Sequence, residues 1–171
     1  ELAAQPYVSV LVDEGLTGVA ADIPDAGRMV YFSREALGAV YDAVLAELFS
    51  AKIRKASHDV KSLMRRLLDA GLPAESFVFD TALAAYLLDA TAGSYDLQRL
   101  FVTYYNEELP KPLHLEPDAF APLADTASAW AALHSYCSAV EALYETLPPQ
   151  LEELGMKELY HTVELPLCPV L

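Results

Sequence analysis

"SFVFDTALAAYLLDA", residues 76–90, decides how the chain is read. SFVF has the aromatic and β-branched character of a buried strand, and TALAAYLLDA is an apolar helical stretch. Only Asp80 separates them. An Asp at such a step accepts from the unpaired backbone N–H groups of the first helical turn, so Asp80 reads as an N-cap. A strand that passes directly into a helix is the unit from which α/β folds are built.

Upstream, three short β-rich runs, YVSVLV (7–12), TGVAAD (17–22) and RMVYF (28–32), are separated by turn signals that include Pro24, Asp25 and Gly27. They predict an antiparallel meander. Ser33 stands where a cap is wanted, with Glu35 in the first turn to suit the helix dipole. Leu37, Val40, Tyr41, Val44, Leu45 and Leu48 then recur at helical spacing and predict one continuous helix. AKIRKA (51–56) reads as a fourth strand ending at Ser57. Val60, Leu63, Met64, Leu67 and Leu68 form the stripe of a second helix, closed by Gly71 and Pro73.

Downstream of residue 90 the pattern is helical. GSYDLQRLFVTYY predicts a fourth helix, the Pro-rich LPKPLHLEPDAFAP (109–122) a loop, and 126–147 a long helix. Trp130, Leu133, Cys137, Val140, Tyr144 and Leu147 give that helix a heptad-like seam. Pro148 and Pro149 are expected to end it. The order βββ-α-β-α-β-α followed by helices predicts a mixed five-stranded sheet with flanking helices and a helical C-terminal part.

The chain holds 25 acidic and 11 basic residues, a net charge of −14. Binding to a nucleic-acid backbone gains free energy by matching phosphates with Lys and Arg, so such a surface repels DNA at long range. Six of the basic residues, Lys52, Arg54, Lys55, Lys61, Arg65 and Arg66, nevertheless lie within 52–66. They read as a solvated strand–helix edge in preference to a phosphate-contacting patch. Cys137 and Cys168 make no disulfide framework and read as free thiols of a reducing cytoplasm. No run of apolar residues is long enough to span a bilayer. The first residues lack a signal-peptide pattern and an initiator Met, which reads as a fragment of a longer chain.

FDTALAAYLLDA followed by GSYDLQRL resembles the segment after the second acidic motif in the 3′–5′ exonuclease domain of bacterial DNA polymerase I, among the family A polymerases. HDVKSLMRRLLDAGL resembles that motif itself, and HTVELPLCPVL the stretch that opens the polymerase domain. The resemblance implies a ribonuclease-H-like fold, an exonuclease-like domain over 1–159 and the start of a polymerase domain over 160–171.

A proofreading exonuclease works with two divalent ions held by converging carboxylates. The resemblance lets each ligand position be examined. The first motif, Asp-x-Glu, meets Asp13 and then Gly15 where the Glu belongs; Glu14 points to the opposite face of the strand. The second motif runs His58, Asp59, Val60, Lys61, Ser62 and Leu63, so Leu63 stands at the catalytic Asp and Asp59 reads as a helix-start acid. The third, Tyr-x-x-x-Asp, has no Asp anywhere on the long helix, and its acid falls near Tyr136 or Cys137. Asp13, Gly15, Leu63 and Tyr136 are therefore vestigial positions. The domain is expected to bind no metal or cofactor, while the resemblance implies magnesium for a polymerase domain outside this sequence.

No other chemistry is signalled. The four His residues lack ligand spacing, no Gly-rich phosphate loop occurs, and no G-x-S-x-G elbow supports a Ser nucleophile. The expected role is a silent, monomeric exonuclease-like domain that braces the polymerase domain of the same chain, with DNA contacted weakly or not at all by this part. Two rivals stand beside it. One is an active exonuclease using Asp13, Glu14 and Asp59 as substituted acids; the other is a free-standing acidic interaction module.

Overall fold

The computed structural model describes residues 1–110 and 126–170, with the side chains of residues 25 and 126–128 also left out. Most of the Pro-rich segment 109–122, and with it His114, lies outside the described residues. Five strands, β1 (Val8–Val12), β2 (Gly18–Ile23), β3 (Arg28–Ser33), β4 (Lys55–Ser57) and β5 (Phe77–Asp80), form one sheet in the order β3-β2-β1-β4-β5. β1, β2 and β3 pair antiparallel as a meander; β4 and β5 add in parallel with β1. The mixed five-stranded sheet is thus present.

The helices are α1 (Arg34–Leu37), α2 (Tyr41–Leu48), α3 (Val60–Asp69), α4 (Thr81–Leu88), α5 (Leu97–Tyr105), α6 (Thr126–Glu153), α7 (Lys157–Leu159) and α8 (Leu165–Leu167). A π-turn over Tyr160–Glu164 joins the last two. Packing follows the sheet's alternation. On β1, Ser9 and Leu11 face α6, which contacts β1, β2 and β4. The intervening Val8 and Val10 are fully buried with Val19, Ala21 and Ile23, in the core cluster that also holds Tyr41 and Leu45 of α2 and Val60, Leu63 and Leu67 of α3. With both faces covered, every residue of β2 is buried.

Four details differ from the sequence expectations. The helix expected from Ser33 begins there, capped by the Ser33 hydroxyl accepting from Ala36 N, but breaks at Gly38, whose φ of +54° and ψ of −126° no helix accommodates. Val40 then lies 60% exposed and leaves the apolar face. β4 covers only Lys55–Ser57, because residues 50–53 curl around the buried Lys55 ammonium, which donates to the carbonyls of Ser50 at 2.9 Å and Ile53 at 2.5 Å. Leu68 and Trp130 are exposed, although Trp130 meets Tyr31 edge-on at 4.7 Å.

The fourth difference is the largest. α6 runs through Pro148 and Pro149 to Glu153. Each interior proline removes a helical N–H and crowds the preceding turn, at a cost of ~3 kcal/mol. Burial offsets this: Leu143 and Leu147 before the pair and Leu151 after it all lie in the core. Stopping at Leu147 would expose Leu151 and the turn that leads to the fully buried Tyr160.

Candidate functional site

Asp13 directly follows β1 and is buried, and its carboxylate is already in use. Oδ1 accepts from Thr17 N at 2.7 Å and Gly18 N at 2.9 Å, and Oδ2 accepts from the Thr17 hydroxyl. The side chain therefore closes the β1–β2 turn as an Asx-type cap. Glu14 and Gly15 are exposed on that turn. A side chain at Gly15 would start in ordinary contact, its Cβ 3.5 Å from Thr17 Cγ2 and 3.9 Å from Asp13 Oδ2. The backbone thus retains room for an acid beside Asp13, and the sequence does not supply one.

Leu63 is 2% exposed in the main core cluster, as its spacing from Val60 and Leu67 requires. One turn further along α3, Arg66 is half-buried and donates from Nη1 to the Asp13 carbonyl at 2.6 Å. Burial pulls the Arg66 pKa down, and the nearby Asp13, Glu14 and Asp59 oppose that shift. Tyr136 sits on α6 with its hydroxyl donating to the Pro110 carbonyl at 3.0 Å, with Gln98 Oε1 at 3.3 Å. The structure thus joins the first motif to α3 through Arg66 and ties Tyr136 to α5. Among the described residues no three His, Cys, Asp or Glu side chains are placed to hold a metal ion. The carboxylates available here do not fit a two-metal centre.

Asp80 is the second acid at a strand end. Its carboxylate accepts from Ala82 N and Leu83 N at the start of α4, and also from Asp59 N at 3.0 Å and Val60 N at 2.9 Å at the start of α3. One side chain caps two helices. The bond to Asp59 N pins Asp59 in the left-handed region, φ +54°, from where Asp59 caps α3 through Ser62 N. Burial drives the Asp80 pKa up to about 6 despite the N–H donors, and burial pushes the neighbouring His58, bonded through Nδ1 to Thr81 Oγ1 at 2.8 Å, down to about 4. Tyr160 completes the junction: its hydroxyl accepts from Asp80 N at 2.7 Å and its ring packs on Phe79. A depression of about 220 Å³ opens beside this junction, lined by Asp59, Lys61, Asp80, Leu83, Glu164 and Cys168 among others. Asp13 and Leu63 do not line it.

The basic cluster at 52–66 is dispersed. Lys52 pairs with Glu47 at 3.0 Å, Lys55 is buried against Phe49 and Phe77 with its pKa lowered to about 8 by desolvation, and Arg66 serves Asp13. Cys137 and Cys168 are free and buried. A polar group that the sequence reading missed lies under α6: Ser9 Oγ donates to Glu141 at 2.6 Å, and buried Asp22 stands 3.3 Å from His134 Nε2. The seven-residue spacing of His134 and Glu141 on one helix face was its only local signal.

This architecture is a ribonuclease-H-like α/β fold of the 3′–5′ exonuclease type. No family model matches the chain. DNA polymerase I of Chloroflexus aurantiacus is 33% identical over 129 residues, 68% of this chain and 13% of that protein. Among solved structures, the POL domain of Pol1 from M. smegmatis, complexed with DNA primer-template and dNTP, aligns over 98% of this chain and 28% of that one, with a TM-score of 0.74 and 24% identity. Brucella melitensis NrnC with bound Mg2+ aligns over 99% of this chain and 85% of its own, with a TM-score of 0.72 and 15% identity. The resemblance to the exonuclease-like domain of bacterial DNA polymerase I therefore stands, for a chain spanning only 13% of the length of that curated relative. No helix among the described residues is long and apolar enough to cross a membrane.

Proposed function

We propose that this chain is a catalytically silent 3′–5′ exonuclease-like domain of a DNA polymerase I, acting in replication and repair as structural support for the polymerase domain that would follow it. The observation that carries this reading is Leu63, a buried hydrocarbon at the position where the resemblance calls for a metal-binding Asp. Asp13, the one acid left among the motif positions, is bonded within its own turn. Two divalent ions need several converging oxygen ligands, which this arrangement does not offer. The segment from residue 160, which we read as the start of the polymerase domain, is anchored in this core through Tyr160. Magnesium then belongs to the polymerase domain. On this reading the domain is monomeric and cytoplasmic. With a net charge of −14 it binds single-stranded DNA more weakly than ~10⁻⁴ M at physiological salt, which fluorescence anisotropy would measure.

NrnC, similar in fold and described with bound Mg2+, motivates the opposite reading, an active nuclease with substituted acids. The test is incubation of the purified protein with single-stranded DNA and magnesium or manganese. No mononucleotide release is expected. Metal-dependent release that survives further purification and is lost in Asp13→Ala would establish the nuclease instead.

A further inference from the structure

The C-terminal helical run is apolar on two sides. Residues 157–167 form a continuous helical stretch of α7, the π-turn and α8, closed by a turn in which Val170 N donates to the Leu167 carbonyl at 2.9 Å. Tyr160, Leu165 and Cys168 are buried in the main core cluster. Their attachment is firm. The Tyr160 hydroxyl accepts from Asp80 N at 2.7 Å and donates to the Asp80 carbonyl at 3.2 Å, and its ring centroid stands 5.3 Å from that of Phe79. Leu159, Val163, Pro166 and Val170 recur at helical spacing on another side and are exposed, the two valines by 43% and 75%.

A helix with one apolar stripe belongs at a surface, and one that is apolar around its circumference is covered around it. Glu158, His161 and Thr162 are exposed along the same run, and Lys157 pairs with Glu152 at 3.2 Å, so the stripe has a polar border. Exposed apolar residues grouped inside such a border mark an interaction surface, whereas a single one such as Val40 needs no partner. The run also walls the depression beside Asp80 through Glu164, Leu167 and Cys168, so a recess lies along the stripe.

The run's own sequence points to what covers it. HTVELPLCPVL, residues 161–171, contains Val163, Pro166 and Val170 and resembles the stretch that opens the polymerase domain. DNA polymerase I of Chloroflexus aurantiacus has most of its length outside the part that matches this chain. A polymerase domain continuing from this run is tethered beside the stripe at high effective concentration. A second copy is disfavoured, because two chains of net charge −14 repel each other. We propose that Leu159, Val163, Pro166 and Val170 are the seat of the polymerase domain of the same chain, which covers the run on the side that the core leaves open. The inference rests on the reading of this chain as part of a DNA polymerase I. It adds the surface that transmits the support: Tyr160 fixes the run to the Asp80 junction, and the stripe fixes it to the polymerase domain.

The test compares this chain alone with the longer natural polypeptide that contains it, each carrying Val163→Cys or, as a control, Val40→Cys. Cys137 and Cys168 are both buried, so the introduced thiol dominates maleimide labelling of the native protein. Val163→Cys is expected to label at least about tenfold more slowly in the longer protein, because a thiol at a closed interface reacts only when that interface opens. Val40→Cys should label alike in both. In the chain alone, Val163→Glu should move the melting temperature by about 2 °C or less, as at other exposed positions. Labelling of Val163→Cys that is equally fast in both proteins, or slowed no more than that of Val40→Cys, would overturn the inference. A loss of more than about 6 °C in Val163→Glu would also overturn it, by showing that the valine supports the core. Sedimentation of the chain alone as a dimer that Val163→Glu dissociates would give the stripe to a second copy instead. If Val163→Cys does not fold, Val170→Cys replaces it under the same expectations. A longer polypeptide without a polymerase domain would remove the underlying reading and the inference with it. A polymerase domain that is present and leaves the stripe open to labelling would remove the inference alone.

Discussion

Asp13 and Asp80 invite comparison because their surroundings look alike. Both stand at a strand end, both are almost fully buried (4% and 3% exposed), and both have a carboxylate held by backbone N–H groups. They differ in where those donors come from. Asp13 gathers Thr17 and Gly18 from a single turn of its own hairpin. Asp80 gathers Asp59 and Val60 from α3 and Ala82 and Leu83 from α4, and its backbone N–H meets the hydroxyl of Tyr160, eighty residues away. Asp13, which the resemblance alone puts at a motif position, serves its own turn, and Asp80 organises the fold. Burial and hydrogen bonding of a carboxylate are thus no sign of chemistry by themselves. Ligand geometry decides, and among the described residues neither site brings three such ligands together.

The largest expected effect concerns the core beneath α3. Leu63→Asp places a carboxylate in the core next to α3's other buried residues. Polar burial contributes about 1–3 kcal/mol and the lost packing adds to it, for a total of roughly 4 kcal/mol in denaturant unfolding. Exonuclease activity should not return. A variant as stable as the parent would place Leu63 in a wet groove and narrow the contrast between the two regions.

Next comes the direct contrast. Asp80→Ala leaves donors of two helix starts unsatisfied and should cost about 3–4 kcal/mol. Asp13→Ala loosens one partly exposed turn and should cost about 1–2 kcal/mol. Equal losses from the two substitutions would break the distinction between a local and a fold-organising acid.

The pH dependence sharpens it further. Asp80, raised from 3.8 to about 6 in the fold, contributes stability that is present below its unfolded pKa and lost as pH rises towards 6. His58, lowered from 6.5 to about 4, contributes stability that is present above its unfolded pKa and lost as pH falls towards 4. The two slopes oppose each other between pH 4 and about 6.5, each on the order of 3 kcal/mol. The parent should therefore show a shallow melting profile across this window. In Asp80→Asn only the His58 slope remains, so stability should drop on acidification; in His58→Gln it should drop as pH rises. Flat profiles in both variants would show that the junction does not titrate in this way.

The strands of the meander, the α3 stripe and the caps at Ser33, Asp59 and Asp80 were legible in the sequence because each is set by neighbours a few residues away. That residues 15 and 63 are Gly and Leu is read directly from the sequence, and their match to ligand positions is an expectation from the resemblance. What stayed hidden depends on distant partners. α6 passes through Pro148 and Pro149 because Leu151 and Tyr160 are buried beyond them, which local propensity cannot register. The shortened β4 follows from the Lys55 ammonium collecting carbonyls of the preceding turn. Arg66 read as one of six clustered basic residues, and only the approach of α3 to β1 gives it a partner. The second helix start held by Asp80 was invisible because Asp59 and Asp80 are twenty-one residues apart.

The central claim, that the motif-derived site holds no pair of metal ions, is tested most directly by counting manganese. Electron paramagnetic resonance of free manganese, titrated against the purified protein, reports bound ions as lost signal. The account predicts that the parent and Asp13→Ala leave the spectrum equally unchanged at sub-millimolar manganese. Two ions taken up per chain by the parent, and released on Asp13→Ala, would contradict it.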